Sequence, residues 1–313
     1  MSENQYLGDK PLDAEENDLF SRWPFSMRIA ESLSKRNDKS SLVLGIYGAW
    51  GEGKTTVINF IKAGLKDIED VVTVTFNPWI FPNENELLLS FFKTVSDSLG
   101  RTITKRSEEI GDAITKYAWL LAPAYGGASN AAKGLGNVMS NVDIEDYKKR
   151  IENILNEEGK RLIIFIDDID RLDKKEIQAI FRLIKLSADF NNTSYVLAFD
   201  EEMVAAALRE QYSSSNKDAG RNFLEKIVQV PLNLPPAPKS SLEGICFSGI
   251  DEVIRTTSIE LEEKQVHEFW GAFYRGISNR LSTPRMAKRY VNAIQFSLPI
   301  TLGEVNPIDL RKL

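Results

Sequence analysis

Apolar residues recur along this chain in two rhythms. Five short, almost uninterrupted runs are bounded by turn or helix signals: Leu42–Tyr47, Val71–Phe76, Leu162–Ile166, Tyr195–Phe199 and Ile227–Val230. Runs this short and this rich in β-branched and aromatic residues predict buried strands. Between them, apolar positions three and four apart predict helices. Thr55–Ile68 follows the first run, and Glu84–Leu99 sets Leu87, Leu88, Phe91, Phe92 and Val95 at helical spacing. Glu176–Leu186 and Glu201–Gln211 follow the third and fourth runs. Strands alternating with helices predict a parallel sheet covered on both faces.

Two segments break the rhythm. Ala122–Asn141 is rich in Ala, Gly and Asn without a clean period and reads as an insertion between the second and third strands. Ser213–Gly220 is polar and reads as a loop. Pro235, Pro236 and Pro238 then mark a linker. Beyond it the pattern is helical only: Leu242–Arg255, Ile259–Asn279 and Pro284–Ser297. The expected organisation is a core over 1–235, with a helical insertion at about 84–158, followed by a helical lid over 236–313.

Composition narrows the chemistry. Of 313 residues, 42% are hydrophobic, enough for a substantial core. A net charge of -6 argues against broad sequence-independent DNA binding, which needs a cationic surface. One cysteine, Cys246, and one histidine, His267, exclude an internal disulfide and disfavour imidazole-based triads or Cys/His zinc sites. His267 reads as a structural helix residue. The first residues lack the charged and apolar regions of a signal peptide. The longest weakly polar stretch, Tyr117–Ala128, is shorter than the ~20 residues of a spanning helix. These features predict a cytoplasmic protein.

The first strand runs into Gly48-Ala49-Trp50-Gly51-Glu52-Gly53-Lys54-Thr55, which matches G-x-x-x-x-G-K-[ST]. Such a loop turns successive N–H groups toward phosphate oxygens, and the next helix aims its positive end at the same place. Lys54 is expected to reach the outer phosphates, and the Thr55 hydroxyl to ligate magnesium. Gly48, Trp50, Gly51, Glu52, Gly53 and Thr56 complete the expected nucleotide contacts. The third strand ends in Asp167 and Asp168, at the end of a sheet where such folds bind ligands. Asp167 is the candidate for orienting magnesium, and Asp168 for polarising the attacking water. Helix capping is the competing role for these carboxylates, and Asp170 and Asp173 suit it better. Asp200 ends the fourth strand. In the additional-strand class of P-loop enzymes that strand lies between the loop strand and the acidic one. Asp200 is therefore either a phosphate sensor or the N-cap of Glu201–Gln211.

Beyond the P-loop, the chain carries Asp18-Leu19-Phe20-Ser21-Arg22, Phe76-Asn77-Pro78-Trp79, Ile166-Asp167-Asp168-Ile169-Asp170-Arg171-Leu172 and Leu224-Glu225-Lys226-Ile227-Val228-Gln229-Val230-Pro231. With these marks the chain resembles the KAP-type P-loop NTPases, a family related to the STAND and AAA+ ATPases. The resemblance runs from about Asp9 to the C-terminus. It implies a three-layer α/β fold with a five-stranded parallel sheet in the order 5-1-4-3-2 and a C-terminal helical lid. Family members commonly carry membrane helices where Ala122–Asn141 lies, a segment too short and too polar to span. Bacterial members are often linked to defence against phage, and the animal member is a membrane scaffold. Members also tend to continue beyond a segment like Val305–Leu310, whereas this chain stops at Leu313, as a truncated or shortened member would.

Phosphoryl transfer needs positive charge on the transferring group. Thr283-Pro284-Arg285 reads as an N-cap, a first-turn proline and an early helix arginine. Arg285 resembles the sensor arginine of related ATPases. Arg171 is placed to tie the acidic strand to its neighbour, and Arg221 to act across a subunit interface. For the base, Phe20 and Arg22 are expected to stack on or border it. No Asn-Lys-x-Asp motif appears, which favours ATP over GTP by elimination. Four functions follow in order. The first is a magnesium-dependent ATPase driving conformational change or assembly, as a homo-oligomer or with partner defence proteins. The second is a nucleotide-gated scaffold with little turnover. The third is a nucleic-acid-associated ATPase, drawing on the five basic and no acidic residues from Arg275 to Arg289. The last is a small-molecule kinase, for which no acceptor site is evident.

Overall fold

The first four apolar runs pair into one sheet, and a fifth strand joins it from the end of the last run. The computed structural model describes residues 6–80, 84–103, 141–187, 190–212, 218–257 and 263–301. Strands β1 (Leu42–Tyr47), β2 (Val71–Phe76), β3 (Arg161–Ile166), β4 (Thr193–Phe199) and β5 (Val230–Asn233) lie in the order β2-β3-β4-β1-β5. Every pairing is parallel. This is the expected 5-1-4-3-2 order, read from the other edge. The order places the P-loop strand and the acidic strand on either side of β4.

The chain folds as two compact units. One comprises Phe25–Gly48 and Phe60–Asn233, and the other Met1–Pro24, Ala49–Asn59 and Leu234–Leu313. The first contains the sheet. All seven residues of β4 are buried, as are five of six in β1 and β3. Successive side chains point to opposite faces, so both faces must be covered. Helices α3 (Glu84–Thr102), α4 (Asn141–Glu157), α5 (Lys174–Ser187), α6 (Glu201–Tyr212) and α7 (Ala219–Glu225) supply the cover. Leu87, Phe91, Phe92, Val95 and Leu99 from α3 join Ile151, Ile154 and Leu155 from α4 and Ile180, Phe181 and Ile184 from α5 in one core. Phe199 packs on Tyr47 and edge-on to Phe181, with ring centroids 4.9 and 5.7 Å apart. The result is the three-layer α/β architecture of a P-loop fold.

The fifth strand differs from the expected Ile227–Val230. Ile227 and Val228 donate their N–H groups to the Leu224 carbonyl and finish the turn after α7, so the ladder begins at Val230. β5 is an edge strand with alternating burial, and it tolerates Pro231, which has no N–H to give a further neighbour.

The second unit is helical. Helices α8 (Lys239–Thr257), α9 (Glu263–Gly276) and α10 (Pro284–Thr301) close around Ile245, Cys246, Ile250, Val253, Phe273, Ala287, Val291 and Ile294. Phe20 and Leu7 from the N-terminal segment pack against this core. His267 lies exposed on α9. Helices α1 (Trp23–Ser34) and α2 (Lys54–Leu65) complete the fold. Most of Ala122–Asn141 and Ser213–Gly220, and all of Val305–Leu310, lie outside the described residues. No described helix is long and apolar enough to cross a membrane.

Candidate nucleotide site

β1 ends at Tyr47, and the next residue, Gly48, donates its N–H to the Phe199 carbonyl at 3.3 Å. The loop therefore leaves the sheet beside the end of β4. Gly51 and Gly53 take φ of +85° and +95°, backbone that side chains rarely adopt. A Cβ on Gly51 would lie 2.8 Å from the Arg285 Cβ, and one on Gly53 would lie 2.5 Å from Arg22 Nη1. Both positions are closed to larger residues by conformation and by space. The loop is also tied to itself. Ala49 N–H donates to the Glu52 carboxylate at 2.8 Å, and the Lys54 ammonium donates to the Ala49 carbonyl at 3.4 Å. Lys54 is buried, with its charge folded over the loop it follows. The α2 ladder begins with Val57 N–H donating to the Gly53 carbonyl. A left-handed glycine loop opening directly into a helix is an anion cradle.

Two arginines flank this loop within the same unit. Arg22 is buried at 2% exposure and donates from Nη1 to the Glu52 carbonyl and from Nη2 to the Pro235 carbonyl at 3.2 Å. Burial lowers its guanidinium pKa, with Glu52 and Asp18 acting in the opposite direction. Asp18 accepts N–H groups from Phe20 and Trp23, which folds the Asp18–Arg22 segment and starts α1. Phe20 lies 5.2 Å from the Arg22 guanidinium and packs into the helical core. The structure thus uses Arg22 to brace the P-loop backbone, a role that the sequence reading did not assign.

Arg285 stands at the start of α10. Thr283 caps that helix, its hydroxyl accepting from Met286 N–H at 3.3 Å, and Pro284 fills the first turn as expected. The Arg285 guanidinium lies 5.7 Å from the ring of exposed Trp50, and Nε donates to Asp9 at 2.9 Å. Asp9 was missed from sequence. The only hint was the polar stripe Arg285, Lys288 and Asn292 on one face of α10, which needs a partner.

The acidic strand end lies in the sheet unit. Asp168 follows β3 in a left-handed conformation, φ +59° and ψ +27°, with its N–H donating to the Asp167 carboxylate at 2.8 Å. Its own carboxylate pairs with Arg171 Nε at 2.8 Å. The Arg171 guanidinium lies 5.4 Å from the Trp79 ring, just beyond neighbouring β2. Asn77 fixes that tryptophan by accepting the Trp79 N–H at 3.0 Å. Arg171 thus joins the acidic strand to its neighbour, and the Asn-x-Trp motif has a geometric reason.

The remaining carboxylates have local duties. Asp173 and Glu176 form a reciprocal capping box at the start of α5, with both bonds 2.8 Å. Asp200 caps α6, one oxygen accepting from Glu202 and Met203 N–H groups. Asp170 receives the Asp200 N–H at 3.2 Å, which ties the ends of β3 and β4. Arg221 pairs with Glu201 and Glu202 on α6. Among the described residues, no three His, Cys, Asp or Glu side chains converge as a metal site. A magnesium ion held by a hydroxyl, a carboxylate and substrate phosphates does not require such a cluster.

The KAP family P-loop domain matches residues 22–300. The phage T7 exclusion protein of Escherichia coli strain K12 is 23% identical over 340 aligned residues, covering 94% of this chain. This chain spans only 44% of that relative. Among solved structures, the Aeropyrum pernix ORC1 protein in complex with DNA shows 16% identity and a TM-score of 0.45, covering 95% of this chain and 65% of its own. The Cdc6p of Pyrobaculum aerophilum shows 13% identity and a TM-score of 0.44, covering 94% and 65%. TM-scores below 0.5 mark distant likenesses of fold.

Proposed function

This chain belongs to the KAP family of P-loop NTPases, and from that premise we propose that it hydrolyses ATP with magnesium to drive a conformational change or an assembly step. One observation carries the reading. Gly48 leaves β1 bonded to the end of β4, and β4 pairs in register with β3, which ends in Asp167 and Asp168. The phosphate-binding loop and the acidic pair therefore start from the carboxyl ends of parallel strands separated only by β4.

In this mechanism the P-loop N–H groups and the N-terminus of α2 bind the phosphates. Gly48, Trp50, Gly51, Glu52, Gly53 and Thr56 line the loop, and Lys54 neutralises the outer phosphates. The Thr55 hydroxyl and the Asp167 carboxylate would hold magnesium, which when bound offsets charge on the phosphates. Asp168 accepts a proton from the attacking water, Asp200, one oxygen of which caps α6, senses the terminal phosphate with the other, and Arg285 stabilises charge on it. Phe20 and Arg22 border the nucleotide, with Arg22 acting chiefly on the loop backbone. ATP is the substrate, on the elimination argument for the base.

The Asp168–Arg171 pair favours a second reading, a nucleotide-gated scaffold with little turnover, because Arg171 already occupies an oxygen of the carboxylate that would receive the water's proton. Turnover separates the two. The ATPase reading expects magnesium-dependent phosphate release that Lys54→Ala and Asp168→Asn each reduce by about a hundredfold or more. Nucleotide binding with equal, negligible release by wild type and Asp168→Asn would leave the scaffold.

The biological output we propose is defence against phage in the cytoplasm, as a homo-oligomer or beside partner proteins. The similarity to a phage exclusion protein supports it. A phage-plating assay with wild type and Lys54→Ala tests it, and equal plaque numbers with and without the wild-type protein would remove it. The basic stretch Arg275–Arg289 keeps nucleic acid as a further candidate partner. A salt titration of binding tests that, since phosphate contacts give a steep salt dependence.

A further inference from the structure

The N-terminal segment forms a strap along two helices. Asn292 on α10 brackets Leu7, accepting its N–H at 2.8 Å and donating to its carbonyl at 3.0 Å. One turn earlier on α10, the Lys288 ammonium donates to the Gly8 carbonyl at 2.9 Å. A further turn back, Arg285 Nε donates to the Asp9 carboxylate at 2.9 Å. The strap then passes to α2, where Leu12 donates its N–H to the Thr56 hydroxyl at 3.2 Å and accepts from the Asn59 amide at 3.1 Å. Every bond engages the strap backbone except the one to Asp9. The strap thus aligns one carboxylate with one arginine.

That arginine is closely confined. Its stem runs against Gly51, where even a Cβ would come within 2.8 Å of the Arg285 Cβ. Its guanidinium lies 5.7 Å from the Trp50 ring. A guanidinium has five N–H donors in a fixed plane. Asp9 engages the one on Nε, and the other four lie on the two Nη atoms, the edge that suits bidentate phosphate recognition.

We propose that Asp9 is a positioning residue, which holds the Arg285 guanidinium through Nε so that its Nη edge meets the terminal phosphate of a bound nucleotide. This rests on the reading of Arg285 given above. Asp9 lies in the strap, ahead of residues 22–300 that the family matches. It acts through the arginine and touches no substrate.

The test compares Asp9→Ala, Asp9→Asn, Arg285→Ala and the Asp9→Ala/Arg285→Ala double variant in the full chain. The readouts are the ratio of ADP to ATP dissociation constants and, where turnover is measurable, kcat and KM. Asp9 is half exposed, so its removal leaves the fold intact. Arg285→Ala is expected to abolish the preference for ATP over ADP. Asp9→Ala is expected to reduce that preference and kcat by about tenfold, with the affinity for ADP unchanged. Asp9→Asn retains an oxygen acceptor for Nε and is expected to recover most of the loss, while the unchanged ADP affinity of Asp9→Ala separates positioning from a purely structural contact. The double variant is expected to behave as Arg285→Ala alone. An impaired Arg285→Ala beside an Asp9→Ala that matches wild type overturns the positioning role alone, as do losses that multiply in the double variant. An Arg285→Ala that matches wild type overturns the sensor reading and this inference together.

Discussion

Arg22 donates from Nη1 to the backbone carbonyl of Glu52, so a buried cation stands behind the P-loop and fixes the peptide that precedes Gly53. The same guanidinium reaches the Pro235 carbonyl. Arg22→Ala would strip two carbonyls of a charged donor and leave a cavity where a side chain of 2% exposure had been. The expected cost is about 3 kcal/mol of stability, with nucleotide affinity falling by about tenfold or more. Arg22→Lys should recover only part, because a single ammonium cannot serve two acceptors in fork geometry. Thermal unfolding and a nucleotide titration check both effects. A loss of stability with unchanged affinity would show that the brace does not shape the loop.

Gly53 lies against that guanidinium at φ +95°. An alanine here would meet Arg22 Nη1 at 2.5 Å in a backbone conformation that L-residues resist. Gly53→Ala is therefore expected to cost about 1–3 kcal/mol and to remove measurable nucleotide binding. Calorimetric titration checks it. Binding within about twofold of wild type would show that the loop relaxes without losing its cradle.

Much of this was legible in sequence, and what escaped has physical causes. The strands and the P-loop setting follow from apolar runs, because strands buried on both faces leave a clear pattern in Leu162–Ile166 and Tyr195–Phe199, whereas the sheet order rests on the family resemblance. The structure extends these strands back to Arg161 and Thr193, whose side chains do not continue the apolar run. β5 was misplaced because Ile227 and Val228 are as apolar as a strand but end a helix, while the true strand carries Pro231 and Asn233. The roles of Asp168, Asp170, Asp173 and Asp200 could not be separated by type. Each is a carboxylate near a helix start, and only geometry distinguishes the capping box of Asp173 from the ion pair of Asp168. The polar stripe on α10 hints at a partner but does not identify Asp9, which lies 276 residues away. No local periodicity reports such a pairing.

The capping box at α5 offers a test of that separation. Asp173→Ala removes the acceptor for the Glu176 N–H and is expected to cost about 1 kcal/mol. Turnover and nucleotide affinity should remain as in wild type, whereas Asp168→Asn should change turnover with little loss of stability. Parallel unfolding curves and phosphate-release assays on the two variants check it. A large loss of turnover in Asp173→Ala would mean that the cap positions the acidic strand end.

Cys246 reports on the helical unit. It is buried at 0% exposure between α8 and α10, and its thiol is pushed up to about 11, first by burial and then by Glu243. Only the thiolate reacts with disulfide reagents. The folded chain should therefore show no reactive thiol near neutral pH, and one per chain in denaturant, since the sequence has one cysteine. A thiol that reacts fully in the native protein would contradict the packing of these helices.

Stability should fall in strong alkali, with a sign set by three raised groups. Burial and the charges of Glu201 and Glu225 push the Tyr47 phenol up to about 12, and burial and Cys246 push Tyr290 up to about 12. These are acids whose folded form keeps the proton longer than the unfolded form. Below the unfolded values, 10 for tyrosine and 9 for cysteine, both states are protonated and the full stability is present. As pH rises past those values the unfolded chain releases protons first, and stability drains away until the folded groups ionise at about 11 and 12. The expected loss is about 1–3 kcal/mol per group across that window. Urea midpoints measured from about pH 8 to about pH 11 check it, and Tyr47→Phe should flatten the decline by the share of one group. A midpoint that holds steady through this range would mean that these side chains ionise as freely in the folded chain as in the unfolded one.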